Sequence, residues 1–231
     1  MALKKVITPE EAAALIKDGS TVLFGGFLGC GSAHKVIEAI SKSGVKDLTI
    51  VCNDGGIPGG PLGEEWYGVS KLIANHQVKR LITTHVGMNP QVAIQNMQEG
   101  TLEVNLIPQG SLAEMVRAGG AGLGAVVTPT GVGTIVEDSP LCLGKQTING
   151  RDYLVMAPVH GDVAVCGITK VDKAGNGWYK GSTCNFNLVM ATAADTVIAE
   201  CEELVEVGEI EPENVRTYGV FVDYIVEGGK Y

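Results

Sequence analysis

Asp18-Gly19-Ser20-Thr21-Val22-Leu23-Phe24-Gly25-Gly26-Phe27-Leu28-Gly29-Cys30-Gly31 carries a short apolar strand straight into a loop with four glycines in seven residues. Val36, Ile37 and Ile40 then resume at helical spacing, so the segment reads as strand, bare loop and helix start. Backbone without Cβ atoms lets a ligand lie against N–H groups, and a helix N-terminus behind such a loop favours an anion. A unit of this kind holds the anionic end of a cofactor, or it is a structural turn, and its neighbours decide which. A dinucleotide turn is the first alternative, because Asp54 closes the next strand about where a ribose-binding acid would stand. The spacing argues against it: a G-x-G-x-x-G begun at Gly29 and Gly31 puts His34 in the third place, where close helix-to-strand packing wants no side chain.

Working outward from this unit, strands are expected over 21–24, 48–52, 80–84 and 103–106, and helices over 9–17, 34–43, 90–98 and 112–118. Thr8-Pro9-Glu10-Glu11 supplies a cap with proline in the first turn. The alternation implies β-α crossovers and an α/β fold, a mainly parallel sheet with helices on both faces. Ligands then sit at the carboxyl ends of the strands, where residues 25–31, 53–63 and 108–110 converge on one crevice. After Gly119 the composition turns to glycine and β-branched residues, and six glycines between 119 and 134 are too many for a helix or strand interior. Further strands are expected over 153–156, 163–166, 196–199 and 220–226, as a second half of the same domain, and residues 228–231 are expected to fray. Residues 1–231 are read as a single domain.

With 45% apolar and 19% charged residues the composition is that of a soluble globular chain, and no apolar run reaches the roughly 18 residues that cross a bilayer. Residues 1–6 are too short and too charged for a secretory signal, so a cytoplasmic location is expected. A net charge of −9 without a Lys/Arg cluster argues against nucleic acid. Cys30, Cys52, Cys142, Cys166, Cys184 and Cys201 lie far apart, with no C-x-x-C and no His at ligand spacing. They are read as small buried hydrophobes, with no metal and no redox cofactor.

The opening run resembles the N-terminal signature of the family I coenzyme A transferases: Asp/Asn-Gly, two residues, three aliphatics, Gly-Gly-Phe, three residues, Gly, one residue, Pro. Only the last element differs, with Ala33 in place of proline. The likeness continues in family order through Asn53-Asp54, Ile107-Pro108-Gln109-Gly110-Ser111-Leu112, Arg117-Ala118-Gly119-Gly120-Ala121-Gly122-Leu123-Gly124, Thr128-Pro129-Thr130-Gly131-Val132-Gly133-Thr134 and Asn185-Phe186-Asn187. It implies the A (alpha) subunit of a two-subunit 3-oxoacid or short-chain-fatty-acid CoA transferase. Gly25, Gly26, Phe27, Leu28, Gly29, Cys30 and Gly31 are then expected to contact coenzyme A, which is substrate rather than bound cofactor.

Gln109, between Pro108 and Gly110 at a strand end, is an amide that can be held with its N–H₂ facing the crevice. Thioester exchange builds negative charge on the carbonyl oxygen, and a fixed donor there stabilises the transition state more than the substrate. The family assigns the matching glutamine to an oxyanion site, so Gln109 is the expected oxyanion donor; a helix-capping amide is the alternative. The family's nucleophile is a glutamate that passes through an acyl-glutamyl anhydride to a glutamyl-CoA thioester, a ping-pong chemistry. It stands in a Ser-Glu-Asn-Gly motif on the B (beta) chain of the pair. That motif does not occur here, and Pro212-Glu213-Asn214-Val215 lacks its glycine, so Glu213 is not assigned. The resemblance thus implies a separate beta-chain partner, in an A2B2 heterotetramer, carrying short-chain acyl-CoA and carboxylate chemistry.

Other residues have two readings each. Glu64, Glu65, Trp66 and Tyr67 belong to a loop, from Pro58, that is longer than its family counterpart: it covers the acyl pocket or is a solvated insertion. His34 is expected to face solvent in the first helical turn, or to approach a phosphate. Asn185-Phe186-Asn187 resembles a family motif near the site, or is an Asx cap with a buried Phe186. The departures at Ala33, Tyr218 and the longer loop bear on acyl specificity rather than reaction class. The rival functions are a nucleotide-dependent dehydrogenase and a CoA-responsive regulator, the latter wanting a DNA-binding domain that the sequence does not display.

Overall fold

The computed structural model describes residues 2–61 and 63–230; Met1, Leu62 in the long loop and Tyr231 at the expected frayed end lie outside the described residues. In chain order the elements are β1 (Lys5–Val6), α1 (Pro9–Ala13), β2 (Thr21–Phe24), α2 (His34–Ser43), β3 (Leu48–Val51), β4 (Ile57–Pro58), β5 (Trp66–Tyr67), α3 (Ser70–Ala74), β6 (Val78–Thr83), α4 (Pro90–Ala93), β7 (Glu103–Leu106) and α5 (Gln109–Gly120). Then follow β8 (Val126–Thr128), β9 (Cys142–Ile148), β10 (Arg151–Met156), β11 (Gly161–Asp172), β12 (Gly177–Trp178), α6 (Asn187–Met190), β13 (Ala194–Val205) and β14 (Tyr224–Glu227).

The main sheet has nine strands in the order β1-β14-β13-β11-β2-β3-β6-β7, with β12 paired off β11. Every neighbour along that order is parallel; only β12 is antiparallel. From β2 the chain moves outward through β3, β6 and β7, then returns to build β11, β13 and β14 on the other side. The order therefore reverses between β2 and β11, and the glycine loop leaves β2 at that reversal, where open parallel sheets bind their ligands.

Alternation along the strands sorts the apolar residues into two cores, one on each face. Val22, Phe24, Ile50 and Leu81 pack with Val36, Ile37 and Ile40 of α2 and Leu72 and Ile73 of α3. Leu23, Val51, Ile82, Ala164 and Cys166 pack with Leu112, Met115 and Val116 of α5 and Met190 of α6. Each fully buried aliphatic contributes about 1.5–3 kcal/mol. Helix α2 spans the expected residues and stops at Gly44, whose φ of 78° is left-handed backbone that terminates a helix. The capping box of α1 is formed as expected, Thr8 Oγ1 accepting from the Glu11 N–H at 3.1 Å and Glu11 Oε2 accepting from the Thr8 N–H at 2.8 Å. Helix α1 nevertheless ends at Ala13 rather than at residue 17, and the Lys17 N–H is taken by Ser20 Oγ at 3.1 Å in the turn that follows.

Two further expectations are corrected. Helix α5 begins at Gln109, not Leu112, and runs through Gly119 and Gly120, which the glycine-rich composition had excluded from a helix. A Cβ at Gly119 would lie 1.9 Å from the Val159 carbonyl oxygen, and one at Gly120 would lie 2.3 Å from that of Thr192. These glycines let other backbone come against the helix. The strand expected over 153–156 forms as part of β10, in a separate antiparallel sheet, β8-β10-β9. Its β9 was not expected, although Asn149-Gly150, with φ of 51° and 77°, is the turn sequence of a two-residue hairpin.

Candidate functional site

Each glycine of the loop is demanded by something packed against it. A Cβ at Gly25 would fall 1.6 Å from Asn187 Oδ1, at Gly26 2.4 Å from Ser32 Oγ, at Gly29 2.2 Å from the Tyr67 ring and at Gly31 2.5 Å from the Thr183 carbonyl. Most of the loop's donors are also engaged. The Gly25 N–H reaches the Val165 carbonyl at 3.1 Å, and Phe27 and Cys30 exchange backbone bonds at 3.0 and 2.9 Å. Gly26 N–H donates to Asn185 Oδ1 at 3.0 Å and Leu28 N–H to Asp54 Oδ2 at 2.8 Å. What the loop presents outward is therefore a bare backbone surface and the Phe27 ring, 44% exposed, rather than a nest of free N–H groups.

The start of α2 is not open to an anion either. Glu200, buried on β13, places Oε1 3.0 Å from the Lys35 N–H and Oε2 2.7 Å from that of Val36. A carboxylate thus already occupies the positive end of the helix. The adjoining cavity of about 130 Å³ is lined by Glu200 and Glu202 together with Gly29, Gly31, His34 and Tyr67. The helix start and the small space beside it are thus already lined by carboxyl groups.

His34 does not face solvent. Its ring stacks on Tyr67 with centroids 4.2 Å apart, and Nε2 lies 2.6 Å from the Tyr67 hydroxyl. Burial pushes the imidazole down to about 4, opposed by a backbone hydrogen bond at Gly29, so the ring is neutral at pH 7. Burial likewise lifts the Tyr67 hydroxyl to about 12. Tyr67 reaches this position because β4 and β5 pair as a short hairpin that folds the long loop back over Gly29. The Tyr67 end of the loop is thus packed on the site and not a solvated insertion, whereas Glu65 is exposed.

At the strand ends, four groups join in one relay. Asp54, buried after β3, accepts from the Leu28 N–H on Oδ2 and from the Gly56 N–H at 3.0 Å on Oδ1. Its Oδ2 also accepts from Asn53 Nδ2 at 2.9 Å, and Asn53 Oδ1 accepts from Gln109 Nε2 at 2.5 Å. The expected convergence of residues 25–31, 53–63 and 108–110 is realised in these four bonds. Gln109 is exposed in the first turn of α5, and its second amide N–H has no partner among the described residues. The neighbouring groove between α5 and β8, about 520 Å³, is lined by Gly110, Ser111, Arg117, Leu123, Val127 and Thr130.

Asn185 and Asn187 brace the loop from the far side of the sequence. Asn185 Nδ2 donates to the Cys30 carbonyl at 2.9 Å, and Asn187 Nδ2 donates to the Gly31 carbonyl at 2.8 Å. Phe186 is buried between them as expected, but the Asx cap is not formed: the residue preceding α6 is Phe186 and no side chain caps the helix, because both asparagine amides are spent on the loop and the turn beside it. Of the cysteines only Cys52, Cys166 and Cys201 are buried; Cys30 is exposed and Cys142 and Cys184 are partly so, which corrects the view of all six as core residues. Glu213 is exposed in a short 3-10 turn. Among the described residues no cluster of three His, Cys, Asp or Glu could hold a metal ion, and no helix is long and apolar enough to cross a membrane. Sequence reasoning missed Glu200 and the Asn53–Asp54 link to Gln109. The pair Asn53-Asp54 was visible as a polar stop to an apolar strand, but nothing local marks Glu200.

A family model described as coenzyme A transferase matches residues 6–228. The chain is 44% identical over 223 residues to the acetoacetyl-CoA:acetate/butyrate CoA transferase alpha subunit of Clostridium acetobutylicum, covering 96% of this chain and 97% of that protein. It is 40% identical over 224 residues to the acetate CoA-transferase subunit alpha of Escherichia coli, covering 96% of each. In fold it is similar to an acyl-CoA transferase from Escherichia coli O157:H7, solved as a thioester complex with CoA, with a TM-score of 0.84 at 22% identity. That match covers 97% of this chain and 47% of the other, so this chain spans under half of that longer polypeptide.

Proposed function

This chain belongs to the coenzyme A transferase family as an A (alpha) subunit, and we propose that it moves CoA between a short-chain acyl-CoA, of the acetoacetyl-CoA or butyryl-CoA type, and a free carboxylate such as acetate. The names of its relatives support that substrate class. In this reading a glutamate carboxylate, delivered by a beta-chain partner with a Ser-Glu-Asn-Gly motif, attacks the thioester carbonyl. The carbonyl oxygen becomes an oxyanion, the C–S bond breaks and CoA thiolate leaves an acyl-glutamyl anhydride. The thiolate then attacks the glutamyl carbonyl, expelling the first carboxylate and forming a glutamyl-CoA thioester, which the second carboxylate reopens by the reverse steps. This chain supplies no nucleophile of its own. Its share is the CoA-facing surface at Gly25, Gly26, Phe27, Leu28, Gly29, Cys30 and Gly31, and the polarising amide of Gln109.

The observation that carries this reading is the relay from Leu28 through Asp54 and Asn53 to Gln109, which holds the glycine loop and the amide as one rigid unit. A donor held in this way needs no reorganisation as charge develops, and one such hydrogen bond contributes roughly 3–4 kcal/mol to the transition state. The alpha-subunit names of its relatives support a separate beta-chain partner, and the A2B2 heterotetramer in the cytoplasm is the arrangement that the family resemblance implies. The test is co-expression with the beta chain followed by a donor-acceptor screen. Gln109→Ala is expected to lower kcat by about two orders of magnitude with the complex intact. Unchanged turnover in that variant refutes the oxyanion role, and full activity of this chain alone refutes the divided site.

A further inference from the structure

Asn53 and Gln109 carry amides whose two ends are nearly alike in shape and opposite in hydrogen-bonding sense, so something must decide which end faces where. The Asp54 carboxylate does so. Both its oxygens face donors: Gly56 N–H on Oδ1, Leu28 N–H and Asn53 Nδ2 on Oδ2. A carboxylate accepts only, which obliges Asn53 to turn its NH₂ toward Asp54 and its Oδ1 away. Asn53 Oδ1 in turn accepts only, which obliges Gln109 to present Nε2 to it, as the 2.5 Å contact records. The second N–H of that same nitrogen is then left pointing out of the relay. With Asn53 reversed, Gln109 would show its carbonyl oxygen at this place, and a developing oxyanion would meet a lone pair.

We propose that Asp54 is a positioning residue for acyl transfer: it fixes the end-for-end orientation of the Gln109 amide, two side chains away, and so decides whether the site holds a donor or an acceptor. The backbone supports this assignment independently. Asp54 also binds the N–H of Leu28, a non-glycine residue in left-handed backbone with φ of 47°, so its carboxylate is anchored from the loop side while it orders the amides on the other. It is 5% exposed, and Asn53 is 2% exposed, so water is not at hand to replace either partner. The proposal rests on the oxyanion reading of Gln109.

The experiment is a kinetic double-mutant cycle in the co-expressed complex of alpha and beta chains. Asp54→Leu, which keeps the approximate size but removes both acceptors and with them the group that orders Asn53, is expected to lower kcat by about 10- to 100-fold with KM for the acyl-CoA changed less than about threefold. In a Gln109→Ala background the same substitution is expected to lower kcat no further. Asn53→Leu, which breaks the relay but leaves Asp54 with its backbone partners, is expected to reproduce the loss if Asp54→Leu does not assemble. Asp54→Leu at full kcat, or a loss that multiplies in full with that of Gln109→Ala, overturns the relay. Gln109→Ala at full turnover instead overturns the oxyanion role itself, so the two failures are distinct.

Discussion

Replacing Asn187 is the sharpest test of how the loop is held. The residue is fully buried; its Oδ1 accepts from the Gly167 N–H at 3.0 Å, and its Nδ2 donates to the carbonyls of Gly31 and Thr183 at 2.8 Å each. Asn187→Ala leaves one buried N–H and two carbonyls without partners. The two carbonyls are on partly exposed residues and recover part of their loss from water, at about 0.5–1 kcal/mol each, whereas the Gly167 N–H is buried and costs about 1–3 kcal/mol. The sum is about 3 kcal/mol, which for a chain of this size lowers Tm by roughly 6–12 °C. The assay is urea and thermal unfolding of the purified chain. Asn187→Asp separates hydrogen bonding from packing: it keeps the acceptor for Gly167 but sets an oxygen against two carbonyls, so at pH 7 it is expected to lose at least as much as Asn187→Ala despite its equal size. Wild-type stability in Asn187→Asp, or a loss below about 1 kcal/mol in Asn187→Ala, refutes the reasoning. Gly25→Ala adds a cross-check: its methyl collides with the Asn187 amide, so it is expected to cost less in the Asn187→Ala background than in the wild type.

Because His34 falls from 6.5 to about 4 on folding, the unfolded chain binds the extra proton between those values. Its contribution to stability is complete above pH 6.5 and is lost as pH falls toward 4; His34→Gln is expected to show a shallower decline over that window in urea titrations, and parallel curves refute the assignment. Thiol titration of the native chain is expected to modify Cys30, Cys142 and Cys184, while Cys52, Cys166 and Cys201, buried with their thiols pushed up (Cys166 and Cys201 to about 12), react only after unfolding. Gly119→Ala, which in an exposed helix would stabilise by about 1 kcal/mol, is expected to destabilise by about 1–3 kcal/mol because its methyl meets the Val159 carbonyl; a stabilised variant refutes the packing argument.

The half of the sheet that starts at β2 was readable because its signals are local. Thr21–Phe24 is apolar and ends in glycine, and α2 has its buried stripe at Val36, Ile37 and Ile40 and its stop at Gly44. The convergence of residues 25–31, 53–63 and 108–110 followed from topology, since each segment follows a parallel strand, whereas the bonds that join them did not. Other features depend on residues far apart in sequence. Glu200 caps a helix that begins at His34 without any local mark, and Asn187 fills the space above Gly25, a contact that its motif did not specify. The glycines at 119 and 120 looked like helix breakers because propensity weighs only the chain's own conformation, while here the backbone of Val159 and Thr192 requires them. The β9–β10 hairpin was legible in Asn149-Gly150, but its polar, exposed strand carries little alternation to announce it. The oxyanion role proposed for Gln109 had no local physical signature beyond a proline and a glycine, and it entered through resemblance.

The cap on α2 has a consequence for biosynthesis. Ribosomes deliver β2, α2, β3 and β6 long before residue 200, so the helix behind the glycine loop spends that interval without the Glu200 carboxylate at its first turn, and β2 spends it as an open edge awaiting β11. The last strand closes both ends of the chain together, since β14 pairs with β1. A nascent chain of this protein therefore carries a sticky border until its closing strands emerge, which is the stage at which a chaperone has most to shield.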